Sequence, residues 1–160
     1  MNPATCLDNI EAYHAAIKKL FDKDSEEFFP NNNAAHAAAI IEEIFLHAAE
    51  EVKVFCKKLS QETWDDEGVL DAVLKAASCG IKISVLTQDA IDKNSKIYRL
   101  LELLNVCIKQ NVGTEFRCNF IVADRKMFRF EKDSGECHAV GCANCPELAK
   151  DLSDFFDRVA

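Results

Sequence analysis

The stretch Phe116-Arg-Cys-Asn-Phe-Ile-Val-Ala-Asp-Arg-Lys-Met-Phe-Arg-Phe130 reads as a β-hairpin. Phe116 to Ala123 is rich in aromatic and β-branched residues, Asp124-Arg-Lys126 supplies turn chemistry, and Met127 to Phe130 alternates as a returning strand. Beyond it, Asp133-Ser-Gly-Glu136 predicts a second turn and 138–142 a further strand. Pro146 then sits where the first turn of a closing helix tolerates it, and Leu148, Leu152, Phe155, Phe156 and Val159 form that helix's apolar face.

Upstream the pattern changes to strands separated by helices. Ile81-Lys-Ile-Ser-Val-Leu86 begins as an alternating strand, preceded by a helix over 69–78 that stops at Gly80 and followed by a helix over 95–104. Before these, Val52 to Cys56 reads as a short strand fed by a helix that Asn33 caps and that carries Ala37, Ile40, Ile41, Ile44, Phe45 and Ala48. The chain opens with Thr5-x-x-Asp8, a capping-box-like start, and a helix over 6–21 with Leu7, Ile10, His14, Ile17 and Phe21 on one face. Asp22 to Asn33 is acidic, then polar around Pro30, and reads as a loop. Strands joined through helices imply parallel crossovers, and the hairpin adds antiparallel strands. The expected fold class is therefore α/β, a mixed sheet with helices on its faces. The division expected is an N-terminal helix and linker over 1–32 and an α/β domain over 33–160.

Composition bounds the function classes. The chain has 160 residues, 49% hydrophobic and 29% charged, with five Gly and three Pro, a globular balance. No apolar run is long enough to span a bilayer and no leader-like run opens the chain, so a cytoplasmic protein without membrane contact is expected. The net charge of −8 disfavours a general nucleic-acid coat. Its distribution is uneven: residues 1–67 hold 14 acidic and six basic side chains, whereas 109–132 hold six basic and three acidic.

Taken together, Val52–Cys56, the helix ending at Cys79-Gly80, Ile81–Leu86, the hairpin Asn119-Phe-Ile-Val-Ala-Asp124-Arg-Lys126 and Asn144-Cys-Pro-Glu147 before the last helix resemble one half of a phospholipase D-like domain, over about residues 33–160. The signature of that superfamily is His-x-Lys, four residues, then Asp, followed by Gly-Ser-x-Asn. Its His attacks phosphorus and its Lys and Asn hold phosphate oxygens. With Asp124 at the signature Asp, Arg117 stands at the His position and Asn119 at the Lys position, and Glu131-Lys-Asp-Ser134 occupies the Gly-Ser-x-Asn region.

The resemblance thus implies a half-domain with an extra N-terminal helix, no catalytic residues and no cofactor. It would act through protein association, as a homodimer or with another protein, with phosphate binding at Arg117, Asn119, Asp124 and Lys126. Nucleic acid is an open but unfavoured ligand. The competing expectation is an atypical phosphodiesterase or nuclease using Arg117, Asn119, Asp124 and His138. Cys137, His138, Cys142 and Cys145 form the densest set of metal-ligand types. Only Cys142-x-x-Cys145 has zinc spacing, and neighbours 137 and 138 would point to opposite faces of a strand, so buried thiols are expected instead. Cys145, before Pro146, is the candidate reactive thiol. Trp64, in the acidic run Glu62 to Glu67, is a candidate partner contact, half-buried in the simpler reading.

Overall fold

Seven strands form one mixed sheet in the computed structural model, which describes residues 2–132 and 138–160. In chain order they are β1 (Phe28–Asn31), β2 (Glu51–Cys56), β3 (Lys82–Thr87), β4 (Cys107–Lys109), β5 (Asn119–Ala123), β6 (Met127–Glu131) and β7 (Ala139–Cys142). Their spatial order is β1-β7-β6-β5-β2-β3-β4. β2, β3 and β4 run parallel, and β5, β6, β7 and β1 extend the sheet antiparallel. The helices are α1 (Ile10–Asp22), α2 (Ala34–His47), the short α3 (Gln61–Trp64), α4 (Glu67–Ser78), α5 (Lys96–Leu103) and α6 (Pro146–Val159).

Several helix ends follow from local signals. Asn33, Asp66 and Ser95 accept backbone N–H groups from His36, Val69 and Tyr98, capping α2, α4 and α5. At the end of α4, Gly80 adopts φ +83, with its N–H on Ala77 and that of Ile81 on Ala76, the paired bonds of a Schellman turn. The hairpin turn holds Asp124 at φ 55 and Arg125 at φ 53, the left-handed pair that suits a right-twisted two-stranded ribbon.

Four elements differ from the sequence expectation. The loop expected over 22–33 contains β1, which pairs with β7 through Phe28–Cys142 to Asn31–Ala139. Pro30 is tolerated there because β1 is an edge strand. The opening helix starts at Ile10, not near Thr5. Asn2 caps a separate turn over Pro3–Thr5, and Asn9 caps α1 by accepting from Ala12. The acidic run 62–67 carries α3, and Trp64 is buried edge-on against Phe45, 6.3 Å between ring centroids. β4 is a strand of three residues that pairs with β3. The turn expected at 133–136, and Cys137, lie outside the described residues.

Two apolar layers flank the sheet. One face is covered by α1, α2, α4 and α5, with Tyr13, Ile17, Phe21, Ile40, Ile44, Val52 and Ile97 in its core. The other is covered by α6, whose Phe156 packs in one cluster with Phe55, Phe120, Val122 and Phe128 of the sheet. Among the described residues no helix is long and apolar enough to cross a membrane.

Candidate functional site

A cleft of about 300 Å³ opens beyond the C-terminal end of β2, between the first turns of α2 and the strands β5 and β6. Ala34 and Ala37 form one wall, and these small side chains leave the space open. Lys57, Lys58 and Ser60, in the loop that leaves β2, and Glu62, Thr63 and Trp64 of α3 form the opposite rim.

The floor is polar because β6 directs two charged side chains toward the α2 face. Arg129 lies opposite Ile121 and Glu131 opposite Asn119 in the β5–β6 register. Both Arg129 and Glu131 are buried. Arg129 donates from Nε to Asn31 Oδ1 at 2.7 Å and from its guanidinium to Glu131 Oε2 at 3.3 Å. Asn119 donates to the same Glu131 oxygen at 3.4 Å and accepts the Lys57 N–H at 2.8 Å. Asn31 in turn donates to the Asn33 carbonyl, which fixes the cap of α2. Buried charges demand such partners.

The sequence candidates do not converge here. Asn119 lines the cleft. Arg117 instead lines a second, apolar concavity on the α6 face. Asp124 lies at the far end of β5, five residues from Asn119 and so about 17 Å along an extended strand. Its carboxylate is occupied, accepting the N–H groups of Ala49, Glu50 and Glu51 at 2.7, 2.9 and 3.0 Å. Lys126, at the same tip, is paired with Asp24. His138 is exposed just before β7. Cys142 is buried, and burial pushes its thiol up, whereas Cys145 is half-buried at the start of α6. Among the described residues no group of three or more His, Cys, Asp or Glu has a metal-holding arrangement.

The cleft residues that sequence reading missed are Lys57, Lys58, Arg129 and Glu131, together with Asn31, which holds Arg129 from behind the lining. Lys57-Lys58 carried a usable signal, a basic pair directly after a parallel strand, where open α/β sheets place ligands. Cys56 also lines the cleft, and burial pushes its thiol up to about 12, so it stays protonated at neutral pH. His36 sits nearby but is used within the fold: Nδ1 accepts the Asn32 N–H at 3.1 Å, Nε2 meets the Leu7 carbonyl at 2.7 Å, and the ring stacks on Tyr13.

No family model matches the sequence, and no curated protein does. Solved structures do match. Nuc of Salmonella typhimurium, a phospholipase D family member, superposes with a TM-score of 0.59 at 10% identity, over 83% of this chain and 93% of that one. NucT from Helicobacter pylori gives 0.62 at 14% identity, over 83% and 96%. The archaeal chromatin protein TrmBL2, whose structure shows a mode of DNA binding, gives 0.59 at 14% identity, over 94% of this chain and 61% of that one. With its mixed sheet and flanking helices matched over most of its length by these structures, this chain has a phospholipase D-like fold.

Proposed function

We propose that the chain is a phospholipase D-like binding module without phosphodiester catalysis, holding a phosphate-type anion in the cleft and acting by association with a second copy or another protein. The observation that carries this reading is the chemistry of the cleft lining. It offers Lys57, Lys58 and the N-terminus of α2 to an anion, but among its described residues no histidine, and its thiol, Cys56, is protonated. The α2 terminus adds the positive end of a helix of 14 residues. Where the superfamily resemblance asks for His and Lys, the chain has Arg117, turned to the other face, and Asn119, bonded to Glu131.

Two measurements test it. Purified protein is expected not to hydrolyse bis(nitrophenyl) phosphate or single-stranded DNA above the buffer rate between acid and alkaline pH. Turnover abolished by Asn119→Ala or His138→Ala would establish the enzyme instead. In an NMR titration with inorganic phosphate, the amides of 57–60 and of the first turn of α2 are expected to shift. Lys57→Gln with Lys58→Gln should weaken binding roughly tenfold, the scale of one charge-assisted contact. Shifts confined to other surfaces would remove the cleft as the anion site.

A further inference from the structure

The apolar concavity on the α6 face is a separate feature, lying across β5 from the cleft, with a volume of about 610 Å³. Its floor is closed by Phe120 and Cys118, which are buried beneath it. Phe130, Leu152 and Phe155 form half-buried walls. Phe116 stands at the mouth, 63% exposed, and is held edge-on to Phe155 at 5.2 Å between centroids. A large aromatic left this far in water beside an apolar hollow is the kind of surface at which ligands and partners bind.

Three charged side chains line the same concavity: Arg117, Lys132 and Glu115. Arg117 and Lys132 make no ion pair among the described residues, in contrast to Lys53, Arg125, Lys126 and Arg129, which are all paired. The three sum to a single positive charge. The occupant must therefore bring an apolar body for the rings and one negative charge for the cations. A closed floor and a volume within the usual range of ligand pockets suit a small molecule that the groove can enclose.

We propose that this groove binds an amphiphilic monocarboxylate of small-molecule size, its apolar body on Phe120, Phe130, Leu152 and Phe155 and its carboxylate between Arg117 and Lys132. The guanidinium supplies a planar two-donor face for the carboxylate, and Lys132 a point charge. This site is independent of the anion cleft, so either can fail without the other.

Calorimetric titration of the full chain with decanoate, below its micelle concentration, and with the uncharged chain-matched decanol tests the assignment. Saturable one-to-one binding of decanoate is expected, with decanol at least about tenfold weaker, the value of one charge-assisted contact. Arg117→Gln with Lys132→Gln should remove that preference while leaving decanol binding unchanged, and Leu152→Gln should weaken both ligands. Far-UV circular dichroism and a thermal melt establish that each variant is folded. Absence of saturable decanoate binding, or equal binding of decanol, overturns the proposal. So does a concentration-dependent dimer that Leu152→Gln dissolves and decanoate does not disturb, because the groove then belongs to a second copy.

Discussion

At the scale of single residues, Asp124 shows how one side chain can serve two purposes. Its backbone makes the left-handed hairpin turn, and its carboxylate gathers the three N–H groups that lead into β2. Asp124→Ala should cost on the order of 1–3 kcal/mol in urea unfolding, since it removes the acceptor and leaves a Cβ at positive φ. Asp124→Gly relieves only the second effect and should fall between wild type and Ala; equal losses would show that the Cβ at positive φ costs little, and a Gly variant as stable as wild type would show that the carboxylate contributes little. His14 is the second case. Its Nε2 lies 3.5 Å from both Glu42 and Glu43 of α2, with Asp66 also facing it. The hydrogen bond to Glu43, opposed by burial, holds its pKa above the ordinary histidine value. A raised pKa in the folded state means stability that is fully present below the unfolded value of about 6.5 and lost as pH rises through the folded value. Glu42, raised chiefly by burial, likewise makes the fold less stable as its charge develops. The melting-temperature gap between wild type and His14→Gln should therefore be larger at about pH 6 than at about pH 9. A gap independent of pH would reduce the contact to packing.

At the scale of elements, what was legible depended on how local the cause was. The hairpin, α2, α4 and α5 were readable because alternation, apolar stripes and caps lie within each segment. β1 was not, because Phe-Phe-Pro-Asn becomes a strand only through its pairing with residues 139–142, more than a hundred positions away. The three residues of β4 and the single turn of α3 are fixed in the same way, by β3 and by the seat of Trp64 against Phe45. The candidate site divided along that line. Asn119 was found from its place in a recognisable hairpin, but Arg129 and Glu131 look like ordinary strand residues until Asn31 arrives from β1 to meet them. β1 also explains Gly141. A Cβ there would lie 2.3 Å from Cε2 of Phe29, a contact no side chain accepts. Gly141→Ala should thus push β1 off the sheet at a cost of about 1–3 kcal/mol. Hydrogen exchange should accelerate at 28–31, and adding Phe29→Leu should recover much of the loss. Unchanged exchange in the single variant would mean that the ring simply moves aside.

At the scale of the whole molecule, the question is whether residues 1–32 are an attachment or part of the fold. An amphipathic helix needs a surface on which to bury its stripe, and α1 finds one on α2, with Tyr13, Ile17 and Phe21 almost wholly buried there. Polar ties follow the same path: Tyr13 donates to the Pro30 carbonyl at 2.6 Å, and Asn144 donates to the Asp24 carbonyl at 3.3 Å. Phe29 is buried as well. Exposing these four large side chains would cost roughly 1.5–3 kcal/mol each. That total is comparable with the entire stability of an ordinary domain, about 5–15 kcal/mol. Removal of β1 would also open the backbone edge of β7 and unseat Arg129 from Asn31. A 33–160 fragment is therefore expected to lack a cooperative thermal transition and to aggregate, whereas deletion of residues 1–8, which spares α1 and β1, should leave a folded protein with a lowered melting temperature. The decisive comparison is near-UV circular dichroism and the melt of the two truncations side by side. A 33–160 fragment that melts cooperatively would make the boundary at 32/33 a true domain boundary and α1 with β1 a detachable cover. Its anion cleft, now without Asn31, would then be expected to bind phosphate more weakly than the full chain.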